Sequence, residues 1–190
     1  MALAMLISTL GVALSQAKSR AAKRTVFVYV DLFRGTPLMV QVLIAFYGST
    51  ALGIPVSPFV CGTFALALYY GAYVLEIMRG AFEDVPGGQI DAARSVGLSS
   101  TRIFWRIQLP QTLAVVISPL AGQFARLFKA SSLLSVIGVA ELTMRGHVIM
   151  TNTLTPIETW LVVAGIYLFF NTLVVLAAVY LERSLNRGYI

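Results

Sequence analysis

The 190-residue sequence contains one cysteine and one histidine. Cys61 alone allows no internal disulfide and no cysteine metal site, and His147 alone forms no histidine cluster. Charge is scarce too: Asp, Glu, Lys and Arg make up 12% of the chain, against roughly 25% in an average soluble domain. A soluble core of this size cannot hide the 58% of residues that are hydrophobic, and the mean hydropathy is +0.83. No G-x-x-x-x-G-K-[ST] run is present, so the chain has no phosphate-cradling loop of that type. No metal-ligand spacing and no nucleophile–base set appears. Internal repeats, low-complexity segments and heptad arrays are absent as well. What remains is a chain suited to the bilayer as its solvent.

Hydropathy and turn signals predict an all-α membrane protein of one domain, 1–190, with about five spans at 1–17, 37–52, 59–78, 111–128 and 157–181. The first run carries its positive charges after the apolar stretch, at Lys18, Arg20, Lys23 and Arg24. That order fits a membrane helix better than a cleaved signal peptide. Seventeen helical residues extend about 26 Å, slightly less than the roughly 30 Å hydrocarbon core. Pro37 suits a helix's first turn, and Gly53–Pro58 is an uncharged turn. The segments 18–34, 79–110 and 182–190 hold eleven of the fourteen Lys and Arg residues. The positive-inside rule therefore predicts an outside N-terminus and a cytoplasmic C-terminus.

The block 79–110 is too long and too patterned for a simple connector. "VPGGQ" reads as a turn, and Asp91 is expected in a helix's first turn, where the dipole favours an acid. Gly97 can end that helix in the left-handed conformation. Ser99 or Ser100 can cap a second helix starting near Thr101. Within it Ile103, Phe104 and Ile107 form an apolar ridge, flanked by Arg102 and Arg106. Pro110 is expected to break the chain before the next span. Two readings are open: a helix–turn–helix that docks in a partner's groove, or an amphipathic elbow on the membrane surface.

The residues Asp91-Ala92-Ala93, then three, Gly97, then nine, Ile107-x-Leu109-Pro110 resemble the "EAA" loop of ABC importer permeases, with Asp91 in place of the usual Glu. The stretches "LFRGTPLMVQ" (Leu32–Gln41), "YGAYVLEIMRGAFEDVPGGQ" (Tyr70–Gln89) and "FKASSLLSVIGVAEL" (Phe128–Leu142) are similar to the polar amino-acid uptake subfamily. The resemblance extends from about Lys18 onward. It implies a type I permease fold, with Asp91, Ala92, Ala93, Gly97, Ile107, Leu109 and Pro110 in a coupling loop seated on a cytoplasmic ATPase. It also implies a second permease subunit, the same or related, two copies of the ATPase, which holds ATP and Mg, and an extracytoplasmic amino-acid-binding protein. The chain itself is expected to bind no cofactor or metal and to catalyse nothing, in the bacterial inner membrane. Relatives usually carry extra residues before the first span, whereas this sequence starts inside it, so a truncated or misassigned start is expected here. The alternative, a self-sufficient secondary transporter or channel, would normally show inverted repeats or more spans.

Ionisable residues inside spans mark candidate solute contacts. Glu76 shares a helix face with Tyr69 and Tyr73, and it also stands three residues from Arg79, so a substrate contact and a structural ion pair are both open. Arg126 and Lys129 either snorkel to the interface or meet a substrate carboxylate. Ser131, Ser132 and Ser135 offer hydroxyls beside an expected helix break. Asn171 suits an interhelical hydrogen bond or a pore lining. Many members of the resembled family carry Asp where this chain has Ala130; Glu141 either replaces that carboxylate or belongs to an external loop.

Overall fold

The computed structural model describes residues 1–16 and 19–186. Ala17 and Lys18 of the expected first span and basic segment lie outside the described residues, as does Arg187 of the charged tail. The described residues contain helices and no strands. In order these are α1 (Ala2–Ser15), α2 (Arg20–Gly35), α3 (Leu38–Ala51), α4 (Pro58–Glu83), α5 (Gly87–Ser95), α6 (Ser100–Ile103), a π turn (Phe104–Gln108), α7 (Leu109–Ala130), a 3-10 turn (Ser131–Ile137), α8 (Leu142–Thr153) and α9 (Pro156–Asn186).

Three helical rods are long and apolar enough to cross a membrane: Pro58–Glu83, the continuous run Ser100–Ile137, and Pro156–Tyr180. The expected spans 59–78, 111–128 and 157–181 lie within or along these rods. The expected spans 1–17 and 37–52 correspond to α1 and α3, of 14 residues each. Each is about 21 Å long, shorter than the hydrocarbon core. The basic segment 18–34 is helical from Arg20. It joins α3 through a bend of 104°, and α2 and α3 together are long and apolar enough for one broken span, which α3 alone is not.

The bend has a local cause. Pro37 disfavours a helical residue before it, and Thr36 is extended at φ −118° and ψ 148°. The helix break leaves carbonyls at the end of α2 without helical partners. Gln41 Nε2 reaches back to donate to Phe33 O at 2.9 Å, Thr36 O at 3.2 Å and Thr36 Oγ1 at 2.7 Å. Thr36 Oγ1 donates in turn to Leu32 O at 2.8 Å.

Helix α4 is the centre of the packing. Its Ser57 N-cap accepts from Val60 N at 3.4 Å, and Pro58 opens the first turn. Along its length Ala65, Leu66, Tyr70, Val74 and Leu75 are buried. Leu75 meets Val12 of α1 and Val26 of α2. Leu66 and Tyr70 meet Ala4, Val42, Leu134 and Ile137. A Cβ on Gly11 would run into the Leu75 side chain, so glycine permits α1 to approach α4 closely. Helix α9 packs on α7 and α8 and turns Leu161, Leu168, Phe169 and Leu176 outward, as suits a helix facing lipid or another apolar chain.

Candidate functional site

Within the polar block, α5, α6 and the π turn form a knuckle between two long helices. Helix α5 ends in a Schellman motif: Leu98 N donates to Ala93 O at 3.1 Å and Gly97 N to Arg94 O at 2.9 Å. Gly97 takes φ +79°, the left-handed conformation that such an ending needs. Ala93 is buried under the turn, while Asp91, Ala92, Val96 and Gly97 are exposed. Asp91 is the fifth residue of α5 and not in its first turn; the turn "VPGGQ" already winds into helix at Gly87. The carboxylate meets Arg94 at 3.3 Å instead. Ser99 is the N-cap of α6, but its hydroxyl makes no capping bond.

Two expectations about the second half are corrected. The ridge Ile103–Phe104–Ile107 does not face outward towards a partner. Ile103 is 2% exposed, and the Phe104 ring stacks on Phe82 of α4, centroids 5.7 Å apart and planes at 14°. The exposed side carries Arg102, Trp105 and Arg106, with Ile107, Leu109 and Pro110 half-buried. Nor does Pro110 break the chain. The helix runs on from Ser100 to Ile137, because Leu109 N donates five residues back, to Phe104 O. That wider π turn lies where proline's missing N–H and its ring would disrupt an α-helix.

The second group is a charge cluster at the C-terminal end of α4. Arg79 Nε donates to Glu76 Oε1 at 2.8 Å and Arg79 Nη2 to Glu76 Oε2 at 3.1 Å, a bidentate fork. Arg79 Nη1 also meets Glu83 at 2.7 Å. Sequence reasoning reached the Glu76–Arg79 pair but missed Arg34. From α2, Arg34 Nη1 donates to Glu76 Oε2 at 3.3 Å, and its guanidinium lies 5.1 Å from the Tyr73 ring centroid. The separation of 42 positions between Arg34 and Glu76 leaves no local pattern that announces the contact. The cluster borders an open cleft of about 770 Å³, lined also by Lys23 and Asp31. From Tyr73 an aromatic ladder climbs α4: the Tyr69 and Tyr73 hydroxyls are 3.3 Å apart, and the Tyr69 and Tyr70 rings are 5.2 Å apart.

The remaining candidates lie along the second rod and beyond. Ser131, Ser132 and Ser135 occupy the 3-10 turn, and each hydroxyl donates to a carbonyl three residues back at 2.7 Å. Leu134 and Ile137 of this turn pack beside Tyr70, so the turn adjoins the top of the ladder. Arg126 and Lys129 are exposed on α7, in no ion pair among the described residues. Glu141 is a helix cap: it accepts from Thr143 N at 2.8 Å and Met144 N at 2.7 Å, and from Tyr167 Oη at 3.0 Å. Its carboxylate is thereby committed to α8 and α9. The Asn171 amide oxygen is buried without a hydrogen-bond partner. Among the described residues no cluster of three or more His, Cys, Asp or Glu could hold a metal ion.

Known proteins share this arrangement. A family described as "Binding-protein-dependent transport system inner membrane component" matches residues 7–187. The probable glutamine ABC transporter permease protein GlnM of Bacillus subtilis (strain 168) is 32% identical over 161 residues, 85% of this chain and 74% of that protein. The L-cystine transport system permease protein TcyB of the same organism is 35% identical over 184 residues, 96% of this chain and 79% of that protein. The arginine ABC transporter permease protein ArtQ of Escherichia coli (strain K12) is 33% identical over 168 residues, 76% of this chain and 71% of that protein. A crystal structure of an amino acid ABC transporter with histidines superposes with a TM-score of 0.91 at 29% identity, covering 96% of this chain and 86% of that one. The inward-facing MetNI methionine ABC transporter shares the fold at a TM-score of 0.72 and 16% identity, covering 97% and 91%. With a match across nearly its whole length, the chain belongs to the family of inner membrane components of binding-protein-dependent transport systems.

Proposed function

We propose that this chain is the permease subunit of an ATP-binding cassette importer for amino acids, and that it receives its driving force through the coupling loop 79–110. The observation that carries this reading is the knuckle itself. A hydrogen-bonded, exposed turn at Val96–Gly97 stands between two membrane rods, α4 and the Ser100–Ile137 helix. A load applied there falls directly on the Ser100–Ile137 rod and on α4 across the bend at Asp84–Pro86.

In this reading the chain performs no chemistry. Two copies of a cytoplasmic ATPase bind ATP and Mg, and their closure draws two coupling loops together. A second permease subunit, identical or related, completes the solute pathway, and an extracytoplasmic binding protein delivers the amino acid. The N-terminus lies outside and the C-terminus in the cytoplasm, as the distribution of Lys and Arg favours. Solute passes along Tyr73, Glu76 and the Ser131–Ser135 turn, with Arg126 and Lys129 as cationic contacts for a carboxylate. Glu141 supports this region from its cap and does not contact the solute. The chain contributes two conformations whose solute affinities differ, which is what a coupled importer requires.

The test is uptake by the reconstituted complex. The chain is co-produced with a candidate ATPase and binding protein, placed in liposomes, and offered labelled Arg, His, Glu and Gln in competition. Uptake that needs internal ATP, the ATPase and the binding protein together supports the reading. Uptake by the chain alone, with neither partner, sinks it.

A further inference from the structure

The knuckle is tied to its two rods in different ways. To α7 it is joined by unbroken helix through the π turn. To α4 it is joined by three residues outside any helix, Asp84, Val85 and Pro86. A covalent bend of that kind absorbs displacement; a continuous helix passes it on. The side-chain contacts across the bend are therefore decisive for whether α4 moves with the knuckle.

Those contacts form one face. Phe104 stacks on Phe82. Eight residues later Thr112 is 2% exposed, with its hydroxyl 3.5 Å from Ala81 O on the same turn of α4. Gln111 Nε2 donates to Gln89 Oε1 at 2.7 Å, holding the start of α7 to α5. In an unbroken α-helix at about 100° per residue, Phe104 and Thr112 would point about 80° apart. A single π turn takes up about one extra residue for the same rotation, which brings the two to within about 20° of one face. The wide turn at Phe104–Gln108 thus does more than accommodate Pro110. It aims both Phe104 and Thr112 at the end of α4.

We infer that Phe82 and Phe104 are positioning residues for coupling: their stack clamps the knuckle to α4, so that movement of the knuckle is passed to the Arg79–Glu76–Arg34 cluster and the α2–α3 elbow. This rests on the importer reading above. Arg79 stands only about one helical turn from Phe82, its fork holds Glu76, and Arg34 carries the link across to α2. The exposed Val96–Gly97 turn is held by backbone hydrogen bonds to Ala93 and Arg94, so removal of the stack leaves it intact.

The experiment uses the full complex with its ATPase and binding protein. Phe82→Ala is expected to leave ATPase association and unstimulated hydrolysis within about two-fold of the unaltered complex. Hydrolysis stimulated by loaded binding protein, and uptake, should each fall about ten-fold, the scale set by losing one aromatic pair. Phe82→Tyr, which keeps the ring, should restore both. Phe104→Ala should match Phe82→Ala, and the double substitution should lose no more than either alone. The inference is overturned if Phe82→Ala keeps stimulated hydrolysis and uptake within two-fold. It is equally overturned if unstimulated hydrolysis falls in step with uptake and Phe82→Tyr rescues neither, since Phe82 then serves folding alone. If the unaltered chain recruits no ATPase, it is the importer reading that has failed.

Discussion

The Arg34 guanidinium on α2 lies 3.3 Å from the Glu76 carboxylate on α4 while resting 5.1 Å from the Tyr73 ring centroid. One cation thus binds both an acid and an aromatic face on the neighbouring helix. Arg79 completes the cluster from the other side of the same carboxylate. Both Glu76 oxygens are occupied, so a solute amine that reaches Glu76 competes with a guanidinium.

Glu76→Gln should therefore do two things. It should lower stability by about 0.5–1 kcal/mol, the range for partly exposed ion pairs. It should also raise the half-saturation concentration for uptake. Thermal unfolding in detergent reads the first and liposome uptake the second. An unchanged half-saturation with reduced yield would make the cluster a structural tie only. Arg34→Gln should share most of the stability loss with Glu76→Gln when the two are combined.

Gly97 has open space around the position of a Cβ, so within this chain a substitution there acts through backbone conformation. Gly97→Asn should retain coupled hydrolysis, because Asn tolerates the left-handed region. Gly97→Val should lose it, since a β-branched residue at φ +79° is strained by roughly 1–3 kcal/mol. Membrane insertion should be normal in both. Equal coupling in the two variants would remove the docking role from this turn.

Gln41→Leu deletes the donor that serves Phe33 O, Thr36 O and Thr36 Oγ1 at the elbow. The expected cost is about 1 kcal/mol for leaving part-buried acceptors unpaired. Gln41→Glu keeps the length but loses the donors, and should be as damaging. Melting temperature in detergent checks both. Recovery of stability by Glu would show that side-chain length, not hydrogen bonding, holds the bend.

Glu141→Ala should cost about 1 kcal/mol through loss of the cap on α8, with the uptake half-saturation concentration unchanged. A large rise in half-saturation without a stability change would return Glu141 to the solute pathway.

Much of this molecule was readable from its residues. Low charge and long apolar runs announced helices suited to a membrane. The Asp91-Ala92-Ala93 to Pro110 spacing announced the knuckle, and Gly97 its left-handed turn, because helix endings depend on neighbours in sequence. The short reach of α1 was visible in its length. Each of these features is local.

Only the tertiary structure decided the rest. Whether Ile103 and Phe104 face a partner or their own α4 depends on a packing surface more than 20 residues away and on a π turn that a 3.6-residue period does not anticipate. Arg34 reaches Glu76 because the Pro37 bend folds α2 back against α4, which neither residue encodes alone. Glu141 became a cap once α8 began after it and Tyr167 came across from α9. Periodicity specifies a helix and its apolar face; which neighbour that face meets is settled when the helices pack and their polar groups compete for partners.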